Sequence, residues 1–172
     1  TGEFANAIEL NAVQRSNPEM QKRVMNVIRA LSESKENPII SVHDHGAGGH
    51  LNCLSELVEE TGGNIDISKL PVGDPTLSDK EIIGNESQER MGLAIKEKDI
   101  ALLEKIAQRE RSPIYTVGEA TDDQKFVLSR KGSQNSAINW GLSHMFGSAP
   151  KTILEDTTIS DKFNEPAYDV KM

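Results

Sequence analysis

The sequence predicts an α+β domain of α/β-like character, with a mixed β-sheet covered by helices. Three observations point there. Two segments, opening near Asn17 and Asp99, repeat apolar residues at helical spacing. Short runs rich in Ile, Val and Leu lie between polar breaks containing Gly, Pro, Asn and Asp. The two patterns alternate along the chain, with no internal repeat and no low-complexity tract.

The first helix starts after Asn17, a good N-cap, with Pro18 at the first helical position and Glu19 in the first turn. Met20, Val24, Val27, Ile28 and Leu31 form its apolar stripe, and it runs to about Ser34, before the Lys35–Pro38 break. Residues 38–43 read as a short buried strand, because Ile39, Ile40 and Val42 follow one turn signal and precede glycines. Asp44-His45-Gly46-Ala47-Gly48-Gly49-His50 is a strand-to-helix turn, and the helix after it carries Leu51, Leu54, Leu57 and Val58 and stops at Gly62-Gly63. Ile65 and Ile67 alternate with polar neighbours, as in a short strand. Ser78 caps a brief helix over Asp79–Ile83 that ends at Gly84.

Met91–Ile95 reads as a strand and Asp99–Arg111 as a helix with Ile100, Leu103 and Ile106 inward. Ile114–Val117 and Phe126–Leu128 are further strands, and a last amphipathic turn or two spans Ile138, Leu142, Met145 and Phe146. Tyr115, Phe126, Trp140 and Phe146 are read as core or interface anchors. The tail beyond Pro150 is polar and expected to be less ordered.

Composition bounds the function. The 172 residues fit one domain, expected to cover the whole chain with an ordered core over about residues 9–157. A chain this long buries roughly two thirds of its unfolded surface and needs no metal or disulfide merely to fold. With 19 Lys and Arg against 27 Asp and Glu the net charge is −8, which argues against nucleic-acid binding and against a basic membrane-surface helix. No apolar run approaches the roughly 20 residues of a membrane span. The single cysteine excludes an intramolecular disulfide, so a cytoplasmic protein is expected. The chain opens with TGEFANAIEL, which lacks targeting character and reads as an internal fragment of a longer protein.

The densest chemical constellation is the Asp44 turn. A carboxylate at the carboxyl end of a strand, followed by glycines and a helix N-terminus, suits a phosphate with a magnesium ion. Asp44 is the metal candidate, since magnesium is commonly held by one or two carboxylates and substrate phosphates. Gly46, Gly48 and Gly49 form the phosphate-proximal loop, because glycine lets backbone approach a ligand. The loop matches neither the Walker A pattern nor the dinucleotide fingerprint. Taken locally, it suits a packing turn with Asp44 capping the helix equally well. His43, His45 and His50 with one thiol make a poor zinc set. His43 reads as a hydrogen-bonded flank of the turn.

Gly84-Asn85-Glu86-Ser87-Gln88-Glu89-Arg90 is a polar run between apolar segments. Glu86 can accept hydrogen bonds or bind a cation, Ser87 and Gln88 can donate and accept, and Arg90 can engage phosphate or carboxylate. By residue type alone a solvated turn describes it better, as simple exposure describes Gln14-Arg15 before the first helix. No nucleophilic triad is apparent, and Cys53 between Leu51 and Leu54 reads as a buried inert thiol.

Four segments, VQRSNPEMQKRV, SVHDHGAGGHLNCLSELVEE, GNESQERMGLAI and RERSPIYTVGEAT, together resemble the phosphoribosylformylglycinamidine synthase family in its large single-chain form. The resemblance runs from about Glu9 to Thr157 and is to the C-terminal subdomain of the first half. It implies a fold like the C-terminal domain of aminoimidazole ribonucleotide synthase. It also implies a share in an ATP- and glutamine-dependent ligase of purine biosynthesis, which converts formylglycinamide ribonucleotide to formylglycinamidine ribonucleotide. ATP activates the amide oxygen, and ammonia from a separate glutaminase domain displaces the phosphate. By the match Asp44 is a magnesium ligand, while Gln14, Glu86, Ser87 and Gln88 bind substrate. No catalytic residue is carried over, the partners are an N-terminal barrel subdomain and the glutaminase domain, and the isolated chain is expected to be inactive. The alternatives are the structural nucleotide-binding half of the same enzyme, or another ATP-using member of the superfold; NPEMQ and NESQERM argue against the second.

Overall fold

Asn17 opens helix α1 (Pro18–Ser32) by accepting the backbone N–H of Met20 on its side chain at 3.1 Å. The computed structural model describes residues 17–86, 89–147, 150, 152–157 and 163–164. Of the expected α1 stripe, Val27 and Leu31 are buried. They pack with Leu103 and Ala107 of helix α4 (Ile100–Arg109), which a 3-10 turn over Glu97–Asp99 precedes. Helix α4 stops two residues short of the expected Arg111. That residue turns to a φ of 55°, while Arg111 and Ser112 donate back to the Gln108 and Ala107 carbonyls. This is a Schellman closure with arginine in the left-handed position.

Strands β1 (Ile39–Asp44) and β3 (Met91–Ile95) form an antiparallel pair, with Val42 opposite Leu93, His43 opposite Gly92 and Asp44 opposite Met91. Helix α2 (Gly49–Leu57) lies on the face bearing His43 and Gly92. A Cβ on Gly92 would sit 2.8 Å from Cys53 Sγ, so glycine lets helix and strand approach closely. The expectation of a buried first strand is corrected here. Ile40 and Val42 are 63% and 41% exposed, with Met91 beside them at 44%. The reason is that α2 covers one face only, so burial alternates along the strand.

A second sheet has the order β4-β2-β5-β6, built from β2 (Gly63–Asp66), β4 (Gly118–Ala120), β5 (Lys125–Ser129) and β6 (Ile138–Gly141). Strands β2 and β5 run parallel and the other neighbours antiparallel, as a mixed α+β sheet requires. The larger core sits on it. Phe126 and Leu128 are fully buried, packed with Leu54 and Val58 and with Ile82 and Ile83 of helix α3 (Asp79–Ile83). Helix α3 has the expected limits and a complete capping box between Ser78 and Glu81.

Two strand expectations and one helical expectation change. Ile67 opens a 3-10 turn instead of extending β2, because the Asp66 side chain takes the Ser68 N–H. Residues 114–117 are not a strand; after Pro113 only the Val117 carbonyl is engaged by this sheet, through the Asp66 N–H, and pairing begins at Gly118. Ile138 belongs to β6, and the last helix, α5 (Leu142–Phe146), follows it. Tyr115 and Trp140, each 53% exposed, are not core residues. Among the described residues no helix is long and apolar enough to cross a membrane.

Candidate functional site

Asp44 ends β1 and faces the open side of the two-stranded sheet, as strand alternation from Val42 dictates. It does not cap α2. The N-cap is Gly48, with a φ of 83° and no side-chain cap bond. Among the described residues the Asp44 carboxylate makes no ion pair. Gly46 lies against it, and a Cβ at that position would sit 3.6 Å from Asp44 Oδ2.

The fold joins the two polar constellations of the sequence. Gly49 has a φ of 62°, and a Cβ there would sit 2.5 Å from the backbone oxygen of Asn85. Only glycine allows the start of α2 to rest on the Gly84-Asn85 backbone. On the other side of the turn the His45 N–H donates to the Arg90 carbonyl at 3.1 Å, extending the β1–β3 ladder by one pair. Glu86 is half-buried beside this junction. Ser87, Gln88 and Gln14 lie outside the described residues.

Behind the turn is a buried polar cluster that sequence reading missed. His45 and His50 are 7% and 4% exposed, and His45 Nε2 lies 2.9 Å from His50 Nδ1 with the rings edge to face. Burial, with the nearby Arg90 charge next, lowers the His45 pKa to about 4. His50 is likewise lowered to about 4, by burial first and then by His45 and Arg90. Both rings are therefore neutral near pH 7. The Arg90 pKa is also pulled down by burial, against an opposing effect of Tyr115. His45 Nδ1 and Arg90 Nη1 are buried with no hydrogen-bond partner among the described residues. The available signal was the alternation that places His43 and His45 on one strand face; the register that sets Arg90 opposite His45 was not visible.

His43 fills the flanking role expected of it, with Nδ1 3.2 Å from Glu56 Oε2. Cys53 is 1% exposed, and burial pushes its thiol up to about 11. Its Sγ donates to the His43 carbonyl at 3.6 Å, so it is a packing residue and not a nucleophile. Among the described residues no three His, Cys, Asp or Glu side chains gather into a metal cage. A single carboxylate at a glycine turn can instead share an ion with a phosphorylated ligand.

The fold has known relatives. The family model of the AIR synthase related protein C-terminal domain matches residues 2–131. Phosphoribosylformylglycinamidine synthase of Saccharomyces cerevisiae is 39% identical over 169 residues, covering 96% of this chain and 12% of the yeast protein. The crystal structure of phosphoribosylformylglycinamidine synthase II from Thermotoga maritima superposes with a TM-score of 0.70 at 21% identity, over 89% of this chain and 26% of that one. T. maritima PurL complexed with FGAR gives 0.69 at 21% identity, over 86% of this chain and 24% of that one. The chain thus spans about an eighth of the yeast relative and about a quarter of the bacterial structures. With the mixed sheets, the glycine turn and a family model matched over most of its length, this chain belongs to the AIR synthase related protein C-terminal domain family.

Proposed function

We propose that this chain is one domain, an internal part of a longer enzyme, and contributes to the synthetase active site of phosphoribosylformylglycinamidine synthase. That enzyme would convert formylglycinamide ribonucleotide to formylglycinamidine ribonucleotide, using ATP and glutamine. The observation that carries the reading is the junction at Gly49 and Asn85, which sets the Asp44 turn against the start of the Glu86-Ser87-Gln88 run. Similarity to the yeast synthase, and to bacterial structures complexed with FGAR and with ATP, supports it.

Phosphoryl transfer depends mainly on positioning and on neutralising charge. Asp44 would hold magnesium, which when bound neutralises phosphate charge on the ATP side; its exposed carboxylate fits an ion shared with a ligand. Gly46, Gly48 and Gly49 would let the phosphates approach the backbone. Glu86, Ser87 and Gln88, with Gln14, would hold the acceptor amide in line. The open apolar face of Ile40, Val42 and Met91 suits cover by an N-terminal barrel subdomain of the same polypeptide. Ammonia would come from its glutaminase domain, in a cytoplasmic enzyme, and Cys53 has no part in releasing it.

Steady-state kinetics of the complete enzyme carrying Gln88→Ala test the substrate-reading role. The expected result is a KM for formylglycinamide ribonucleotide raised about tenfold, the loss of one ligand hydrogen bond. An unchanged KM would favour the structural nucleotide-binding half.

A further inference from the structure

We propose that Arg90 and His45 form an oxyanion pocket of this chain's own, which takes a phosphate group behind the Asp44 turn. The two residues are cross-strand neighbours, since the His45 N–H to Arg90 carbonyl bond continues the ladder beyond Asp44 and Met91. Directly opposed side chains leave the same face of a sheet. Each carries one buried polar atom without a hydrogen-bond partner among the described residues, Arg90 Nη1 and His45 Nδ1. A guanidinium stays charged, so an unmatched donor on it, withdrawn from water, is costly unless an anion arrives. Among the described residues no carboxylate ion-pairs with Arg90.

His45 is held for this task. Its Nε2 is engaged by His50 Nδ1 at 2.9 Å, which fixes the ring and leaves Nδ1 as the free position. When His50 Nδ1–H donates to His45 Nε2, His45 Nδ1 carries the proton and faces the ligand as a donor. Of the two residues, Arg90 supplies the positive charge. Helix α2, nine residues long, begins at Gly49 and adds the positive end of its dipole. A guanidinium, an imidazole and a helix start suit the charged terminal oxygens of a phosphate. The pocket deepens the reading of the Asp44 turn as a phosphate-facing site, and the identification of its ligand rests on that reading.

The test is a titration of the chain with inorganic phosphate, following the histidine ring signals by NMR at constant ionic strength. Acetate and chloride serve as parallel titrants. Saturable shifts of the His45 and His50 signals are expected with phosphate and not with chloride. Arg90→Gln should weaken phosphate binding roughly tenfold. Wild-type affinity in that variant, or no saturable shift in the parent chain, overturns the pocket; equal binding of acetate overturns its assignment to phosphate. A readout without any variant guards against misfolding. Low millimolar phosphate should raise the melting temperature above that in chloride of equal ionic strength, and no difference would count against the proposal. The titration contains no magnesium, so failure of the magnesium assignment, read in the complete enzyme, and failure of the pocket are separately visible.

Discussion

His45 and His50 tie the stability of this chain to pH. Both are lowered to about 4 from an ordinary value of 6.5, so the unfolded chain binds more protons between those limits. Stability is then complete above about pH 6.5 and lost as pH falls through about 4. The expected loss is several kcal/mol for the pair, about 3 kcal/mol at most for each ring, read as a falling urea midpoint across that window. A midpoint flat from pH 7 to pH 4 would contradict the buried pair. Gly49 makes a second residue-scale prediction. Gly49→Ala places a methyl group against the Asn85 backbone at a φ of 62° and should cost about 2–4 kcal/mol in denaturant unfolding. A variant of parental stability would mean that the two polar segments do not meet there. Asp44, Glu86 and the glycines were readable as residue types, but the His45–Arg90 pairing was not, because strand register is set by tertiary partners.

Helices were the legible elements, since their limits are written in local chemistry. Asn17-Pro18 fixes the start of α1, and Ser78 with Glu81 fixes that of α3. Ser78→Ala removes one half of the capping box and should lower stability by about 1 kcal/mol, measured by thermal unfolding. No change would place the stability of α3 wholly in Ile82 and Ile83. The end of α4 was misread because Arg111 takes the left-handed position that glycine usually signals. Strands were less legible. Residues 114–117 have strand-like composition, but pairing begins only at Gly118, and Ile138 sits on β6 because Leu128 lies opposite it. Composition alone does not choose between such partners.

At the scale of the molecule, alternating helices and strands predicted the mixed sheets. What they did not predict is a two-stranded sheet open on one face, where Ile40, Val42, Met91 and Asp44 share a surface. In a complete synthetase that face would be both a covered interface and the approach to the metal. We place this surface in the synthetase site, and Asp44→Ala in the complete enzyme is the decisive test. With both activities assayed, formylglycinamidine ribonucleotide formation should be lost and glutamine hydrolysis largely kept. Near-normal synthetase turnover would contradict it.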